Sequence, residues 1–293
     1  MDNSNILNKR IGNCELESSL QRTTKYLHPH TSPMRPNIDV NFDFTTDTPG
    51  FWDGFWEKKG GLGYCGNDPD SMSKVLRRYH SILWSRELPN GEVMELEECG
   101  DHLSWNSMRF ASDSITATFR YERCRSLIDS VASTMEDYRR WMEHHIRSMY
   151  TIGGMIIFPK HWDSINQIRG RNQKISDRWD LTLECIRRYY DGESSPMTDC
   201  LESDRKFFDL FIDFRGYIDY FLLQDCVDED YNVKLWMDTE LWVDNPLPKD
   251  VDQYLAWIEC NEDFVERRNG RISKLVNDMD IPEPGKTYKQ THF

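Results

Sequence analysis

Apolar residues recur at intervals of three and four positions over long parts of the chain, which is the spacing of an amphipathic helix. Glycine, proline and capping residues set the expected limits, because Asp and Ser cap free amide groups and proline suits a first turn. The pattern predicts a helix from Asp70 or Ser71 to about Trp84, then Ser126–Tyr150, Ile175–Tyr190, Leu201–Asp225, and a last helix that begins at Pro248 and runs toward Val276.

Strands are predicted where apolar and polar residues alternate, or where a short apolar run is closed by proline. The segments with these patterns are Ile38–Phe44, Glu92–Leu96, Ser112–Phe119, Met155–Phe158 and Asp230–Trp236. They do not alternate regularly with the helices, as parallel βαβ units would require. The pattern therefore predicts a helix-dominated α+β fold, in which several long helices pack with a small sheet of short strands.

The two ends of the chain lack this patterning. Residues 1–36 are polar and contain a cluster of prolines near their end, and the chain after Pro282 is short and polar. We therefore expect a polar N-terminal arm at 1–36, a single globular α+β domain at 37–280 and a flexible tail at 281–293. A subdivision of the domain near residue 125 is left open.

Composition narrows the class of protein. The chain of 293 residues has 36 Lys and Arg against 50 Asp and Glu, and this net charge of −14 argues against bulk binding to nucleic acid. Its eight cysteines include no CxxC pair, its first residues form no apolar signal segment, and no apolar run is long enough to span a membrane. These features predict a cytoplasmic protein without a membrane segment. The oligomeric state is left open.

Five segments carry a likeness to known sequences. They read NDPDSMSKVLRRYHSILWSRELPNG (67–91), GGMIIFPK (153–160), SINQIRG (164–170), ISDRWDLTLECIRRYY (175–190) and FFDLFIDFRGYIDYFLLQD (207–225). On these segments the chain resembles a bacterial family of unknown function, and the likeness extends over roughly residues 38–275. The resemblance implies no activity, because none is assigned to the family. The Trp- and Gly-rich loop 50–66 departs from the family pattern and looks like an insertion.

The helix predicted at 175–190 carries the first candidate chemistry. Asp177, Asp180 and Glu184 lie at positions i, i+3 and i+7 and therefore share one helix face. Such a row could hold a divalent cation through oxygen ligands, or supply a general acid and base. The structural alternative is that Asp177 favours the helix N-terminus while Glu184 pairs with Arg187 or Arg188.

The Phe-rich segment that follows carries further acids. They are Asp209, Asp213, Asp219 and Asp225. A carboxylate that is partly buried on such a helix needs a cation or donors beside it, and we expect Arg169 or Arg178 to supply them. A catalytic site and a buried network that fixes the fold both remain open. The candidate catalytic residues are Asp177, Asp180, Asp213 and Asp219.

A candidate ligand site lies between the predicted strand at 155–158 and the next helix. Its residues are Asn166, Gln167 and Arg169 of the connecting loop, with Arg178 and Arg187 of the helix. Loops in this position commonly face ligands, and amide and guanidinium groups bind phosphate or carboxylate. The alternative is a loop that binds its own backbone. The histidines show no metal-ligand spacing, so a divalent cation on the aspartates is the cofactor left to consider.

Three functions are consistent with these patterns. The first is an interaction or regulatory protein without catalysis, whose partner is a protein or a small anionic ligand. The second is an enzyme that acts on a nucleotide or phosphodiester, in which the aspartates hold a divalent metal and the arginines neutralise phosphate. The third is a non-catalytic sensor of an anionic ligand, which uses the same arginine pocket. Both alternatives require these acids and arginines to meet in one accessible hollow.

Overall fold

The computed structural model describes residues 37–56, 67–115, 119, 121–160, 175, 178–237 and 247–279. These ranges contain nine α-helices and a four-stranded antiparallel sheet. The predicted helix-dominated α+β fold is therefore confirmed. Residues Ile38–Val276 form one compact unit. The predicted N-terminal arm and C-terminal tail lie outside the described ranges.

The helices follow one another along most of the chain. They are α1 (Pro69–Met72), α2 (Lys74–Trp84), α3 (Tyr121–Thr134), α4 (Tyr138–Met149), α5 (Trp179–Tyr190), α6 (Thr198–Ser203), α7 (Arg205–Phe208), α8 (Phe214–Tyr220) and α9 (Val251–Asp278). Short 3-10 turns occupy Ile152–Gly154, Asp209–Phe211 and Gln224–Cys226. No helix in the described ranges is both long and apolar enough to cross a lipid bilayer.

The sheet has the strand order β1-β2-β3-β4, with every neighbouring pair antiparallel. Its strands are β1 (Glu97–Cys99), β2 (His102–Trp105), β3 (Met108–Ser114) and β4 (Met155–Pro159). All five residues of β4 are buried, as expected for a continuous apolar run. The predicted strand at Met155–Phe158 is confirmed, and Trp179 at the start of α5 packs against Phe158 with ring centroids 6.3 Å apart.

The strand predicted at Ile38–Phe44 is wrong, because this segment forms turns. The Asp39 carboxylate accepts a hydrogen bond from the backbone N–H of Asn41, and the Asp43 carboxylate accepts one from Thr45. Such local bonds compete with strand pairing for the backbone donors. The alternating acids that suggested a strand therefore stabilise turns.

Two other predicted strands form only one isolated β-bridge each. Glu92–Leu96 contributes one bridge between Glu87 and Val93, and Asp230–Trp236 contributes one between Val227 and Val233. The strand predicted at Ser112–Phe119 begins earlier than expected, as β3.

The helix predicted at Leu201–Asp225 is also wrong, because this segment is divided into the short elements α6, α7, a 3-10 turn and α8. Ile212 and Leu222 have φ values of +70° and +58°, which no helix contains. The Asp213 side chain then caps α8 by accepting a hydrogen bond from the Gly216 N–H at 2.7 Å. A Cβ atom at Gly216 would lie 2.1 Å from the carbonyl oxygen of Phe211, so this turn requires glycine.

The remaining predicted helices differ from the observed ones mainly in where the observed helices are interrupted. The helix expected at Ser126–Tyr150 is two helices, α3 and α4, separated at residues 135–137. The first predicted helix is likewise divided, because Asp68 caps α1 and Ser73 caps α2. The last helix, α9, begins at Val251, three residues after the predicted start at Pro248, and ends at Asp278, close to the predicted end at Val276.

His80 lies at the centre of a buried group of polar side chains. Its Nδ1 accepts a hydrogen bond from the Trp84 indole at 2.9 Å, and its Nε2 lies 3.0 Å from Ser112 Oγ. Because an indole can only donate, the proton of the neutral ring lies on Nε2 and is donated to Ser112. Burial lowers the pKa of His80 to about 3, and the positive charge of Arg268 acts in the same direction.

Replacing His80 by Gln is expected to make stability less dependent on pH. In the unfolded chain His80 binds a proton near pH 6.5, whereas in the folded protein it does so near 3. Between these values the unfolded state binds more protons, so the wild-type protein loses about 1.4 kcal/mol of unfolding free energy per pH unit as the pH falls. The His80→Gln variant lacks this pH-dependent loss. The amount by which its free energy of unfolding lies below that of wild type is therefore expected to become smaller toward acid pH.

Urea denaturation at a series of pH values measures this difference. The control is His144→Gln, which changes an exposed histidine of α4 and should leave the wild-type profile unchanged. Parallel profiles for wild type and His80→Gln would contradict a buried imidazole that stays neutral.

Candidate functional site

The N-terminus of α5 carries an ion pair with no exposure to solvent. Arg178 occupies the N-cap position and Asp180 lies in the first turn, and both side chains are 0% exposed. Arg178 Nε lies 3.0 Å from Asp180 Oδ1, and Nη2 lies 2.5 Å from Oδ2. The two charges therefore neutralise each other inside the protein through a bidentate contact.

Two backbone groups complete the shell around Asp180. Its Oδ1 accepts from the N–H of Leu181 at 2.9 Å, and its Oδ2 accepts from the N–H of Trp236 at 3.0 Å. Together with the two bonds from Arg178, this gives each carboxylate oxygen two donors, which fills the acceptor sites of the group. The arrangement leaves no oxygen lone pair of Asp180 free to bind a metal ion. The bond from the Trp236 N–H also connects α5 to the segment around that residue.

One turn further along α5, Glu184 holds two arginines. It accepts hydrogen bonds from Arg187 at 2.8 and 2.9 Å and from Arg188 at 2.8 Å, which confirms the expected pairing at i+3 and i+4. Partial burial acts to raise the pKa of Glu184, but the bonds from the two arginines lower it below its ordinary value. The bond with Glu184 also raises the pKa of Arg187.

An open cleft of about 290 Å³ lies beside this part of α5. It is lined by Glu184, Arg187, Asn232, Val233 and Leu235. Within this lining Leu235 is a large apolar side chain with 38% exposure. The cleft therefore combines charged groups on the helix with an apolar and amide wall on the segment 232–235.

More acids contact the lining of the cleft. Arg187 donates to Asp191 at 2.5 Å, and Glu193 lies 3.8 Å from Arg187 and 3.5 Å from Arg188. On the opposite wall, Asp228 accepts two hydrogen bonds from Asn232, at 2.8 and 3.0 Å.

The cleft and its border carry more negative than positive charge. The acids that line the cleft or contact its lining are Glu184, Asp191, Glu193 and Asp228. The cations are Arg187, Arg188 and Lys234, which lies close to Asp228. Four acids against three cations leave a local net charge of −1.

Three members of the predicted catalytic set lie in different surroundings in the described part of the chain, and the fourth, Asp177, lies outside it. Asp180 is buried with Arg178, whereas Asp213 is exposed and caps α8. Asp219 is exposed and accepts hydrogen bonds from Gln224 at 3.0 Å and Tyr231 at 3.1 Å. These three carboxylates share no hydrogen-bond partner among the described residues.

Of the two arginines expected to neutralise the acids of the Phe-rich segment, Arg169 lies outside the described residues and Arg178 pairs with Asp180. Asp225 of this segment pairs with Arg271 at 3.0 Å. The described ranges contain no group of three or more His, Cys, Asp or Glu side chains that could hold a metal ion.

Several predicted site residues fall outside the described ranges. They are Asn166, Gln167, Arg169 and Asp177. Of the predicted ligand-binding residues, Arg187 lines the cleft and Arg178 lies in the buried pair.

Sequence reasoning missed the opposite wall of the cleft, Asn232, Val233 and Leu235, because their alternation suggested a strand. The run DEDYN at 228–232 was the available signal, since Asp and Asn at this density favour turns that face solvent.

Comparison with known proteins gives a family but no function. Neither a curated protein nor a solved structure matches the chain. A family model described as "Family of unknown function (DUF6994)" matches residues 38–272. This range includes the sheet, α1 to α8, most of α9 and every residue that lines the cleft. The chain therefore belongs to the DUF6994 family of unknown function.

Proposed function

We propose that this protein is a non-catalytic interaction protein that binds a basic segment of a partner protein in the cleft beside α5. The proposal rests on the way in which the charged groups at the cleft are already paired. Each arginine of α5 that reaches the cleft is already bound to acids of the same chain, and the remaining charge is negative. The cleft thus presents carboxylates to a partner.

An anionic ligand fits this arrangement poorly. A phosphate or carboxylate would have to separate Arg187 from Glu184 and Asp191, and would then lie among the acids that border the cleft. Like charges placed against a ligand select against it. Asp180, which the enzyme alternative requires as a metal ligand, has all its acceptor sites filled inside the core.

A basic segment matches both walls of the cleft. Asp191 and Glu193 are each 50% exposed and keep oxygen atoms that an incoming Lys or Arg can reach. Leu235 and Val233 offer an apolar contact on the other wall. Complementary charge of this kind steers association and selects the partner more than it adds affinity.

Peptide binding tests the proposal directly. The probes are a short fluorescently labelled peptide of Arg, Leu and Ser, and the same peptide with Glu in place of Arg. We expect the basic peptide to bind by fluorescence anisotropy and to bind more weakly as salt rises, because exposed charges are screened. The acidic peptide is expected not to bind.

Paired variants locate the binding. Asp191→Asn with Glu193→Gln is expected to weaken the basic peptide about tenfold, which corresponds to about 1.4 kcal/mol. The control is Glu97→Gln with Glu98→Gln, which removes the same charge from exposed residues of β1 and should leave binding unchanged. Equal binding of the acidic peptide, or equal loss in both variants, would refute the proposal.

A further inference from the structure

One end of the sheet carries a cluster of titratable side chains, namely Asp101, His102, Arg109 and Lys160. His102 lies two residues before Ser104 on β2, and Ser104 is the Cα partner of Arg109 on β3, so His102 and Arg109 are on the same face of the sheet. Lys160 follows β4, and its backbone N–H donates to the carbonyl oxygen of Arg109 at 2.8 Å. The strand register therefore brings these side chains together.

Asp101 contacts the other three members of the cluster. Its Oδ1 lies 2.9 Å from His102 Nδ1, and its Oδ2 accepts a hydrogen bond from Lys160 Nζ at 2.8 Å. Arg109 Nη2 lies 3.9 Å from the same Oδ1. Partial burial acts to raise the pKa of Asp101, but the hydrogen bonds from Lys160 and His102 lower it well below its ordinary value. At neutral pH a charged carboxylate therefore lies against the His102 ring.

This carboxylate decides which nitrogen of His102 carries the proton. A neutral imidazole has one N–H, so Nδ1 either donates to Asp101 or accepts from Arg109, whose Nη2 lies 3.0 Å away. An unprotonated Nδ1 would direct its lone pair at a carboxylate oxygen only 2.9 Å away. A protonated Nδ1 forms a hydrogen bond to that charged oxygen and leaves the ion pair of Arg109 with Asp101 in place. The proton is therefore on Nδ1, and Nε2 keeps its lone pair.

The Nε2 atom of His102 is accessible to a reagent from solvent. In the described part of the chain it has no hydrogen-bond partner and is not enclosed. Burial of the ring lowers the pKa of His102, and the charges of Arg109 and Lys160 act in the same direction, whereas Asp101 opposes them. The ring is therefore neutral at neutral pH, which is the form in which an imidazole nitrogen is a nucleophile.

Arg109 and Lys160 place two positive charges beside the ring. Arg and Lys side chains in such positions stabilise a phosphoryl group during its transfer. The same two charges disfavour a metal cation on Nε2. A neutral imidazole that is oriented by a carboxylate and flanked by two cations has the parts that phosphoryl transfer to a histidine requires.

We propose that His102 is a site of covalent modification, which accepts a phosphoryl group on Nε2 from a donor that contains a P–N bond. The Nε2 lone pair forms the new N–P bond while the P–N bond of the donor breaks. The donor nitrogen leaves with the bonding electron pair and takes a proton from water. The Nδ1 proton stays between the ring and Asp101, and Arg109 and Lys160 balance the added negative charge. This site uses no residue of the cleft beside α5 and goes beyond the interaction proposed there.

Phosphoramidate, a small donor of this class, tests the site on the wild-type protein, with peptide mass spectrometry to locate the phosphoryl group. We expect His102 to be labelled at least about tenfold faster than His144, although His144 is the more exposed of the two. The label is expected to be lost in acid and kept in alkali, as a P–N bond requires. Equal rates at the two histidines, faster labelling of His144, or a label that survives acid would overturn the proposal.

Proton–nitrogen correlation NMR of the histidine rings tests the role of Asp101 as a positioning residue. In wild type the His102 proton is expected on Nδ1, and a proton on Nε2 would overturn the proposal. Asp101→Asn is expected to move the proton to Nε2, because Arg109 then donates to Nδ1, and to slow the labelling of His102 at least about tenfold.

Two controls separate this effect from a change in folding. The labelling rate of His144 in Asp101→Asn is expected to equal that of wild type, since Asp101 is an exposed residue. Glu98→Gln removes an exposed acid of β1, whose Cα partner Leu103 points to the other face of the sheet, and should label His102 as wild type does. An unchanged rate at His102 in Asp101→Asn, or an equal loss in Glu98→Gln, would contradict the proposal.

Discussion

Replacing Asp180 by Asn is expected to lower the free energy of unfolding by about 3–5 kcal/mol, because the change leaves a buried charge without its partner. Arg178 is 0% exposed and forms a bidentate contact with Asp180. An amide supplies one acceptor oxygen where the carboxylate supplies two, so the N–H groups of Arg178, Leu181 and Trp236 compete for it. Chemical denaturation followed by tryptophan fluorescence measures the loss.

The control for this change is Asp219→Asn, which alters an exposed acid of α8. Its effect is expected to stay below about 1 kcal/mol, as is usual for exposed polar contacts. The comparison also decides between functions. If Asp180→Asn kept wild-type stability and lost divalent-metal binding or turnover of a nucleotide, the enzyme alternative would be supported and the interaction hypothesis would be wrong.

The fold could be predicted from sequence where one element carries one continuous apolar stripe. Helix α5, helix α9 and strand β4 are of this kind. The Phe-rich segment is different, because Phe207, Phe211 and Phe221 share one aromatic cluster although they belong to separate short elements. Helical spacing of the aromatic residues therefore continues past two residues with positive φ, Ile212 and Leu222, which the hydrophobic pattern cannot detect.

The candidate site was predictable only in its local part. The pairing of Glu184 with Arg187 and Arg188 follows from helix geometry, since residues three and four positions apart are neighbours. The bond between Asp180 and the backbone of Trp236 joins residues 56 positions apart, and no local pattern indicates it.

Burial then separates the roles of two acids that spacing had placed on the same face. Asp180 is enclosed and neutralised by Arg178, whereas Glu184 borders an open cleft. The spacing i, i+3, i+7 shows which side chains share a face, but the packing of distant segments decides which of them a ligand can reach. For this reason two residues that looked like neighbouring metal ligands have different roles. Asp180 belongs to a buried ion pair, and Glu184 lines the cleft.

Arg268 of α9 is fully buried, and no acid among the described residues forms an ion pair with it. Its side chain donates to three backbone carbonyls: Phe221 at 3.0 Å, Gly153 at 2.8 Å and Met155 at 2.7 Å. These carbonyls belong to the end of α8, the 3-10 turn and the start of β4. One guanidinium therefore joins three elements to α9.

Replacing Arg268 by Met is expected to destabilise the protein by about 3 kcal/mol or more. The change removes a desolvated charge from the core, which is favourable, but it leaves three buried carbonyl oxygens without donors at about 1–3 kcal/mol each. Arg268→Lys is expected to be similarly harmful, since an ammonium group cannot reproduce the planar fork that reaches all three carbonyls. The matched control is Arg267→Met at the exposed neighbouring position, with an expected change within about 0.5 kcal/mol.

The pH dependence of this loss provides an independent check. Burial lowers the pKa of Arg268 to about 9. Between neutral pH and that value the residue is protonated in both the folded and unfolded states, so the difference between wild type and Arg268→Met is expected not to change with pH. Above it, the folded state releases the proton first, the unfolded state binds more protons, and wild type gains stability relative to the variant. At acid pH the difference is expected to change as well, because the charge of Arg268 lowers the pKa of His80. A difference that changes between neutral pH and about 9 would contradict this account.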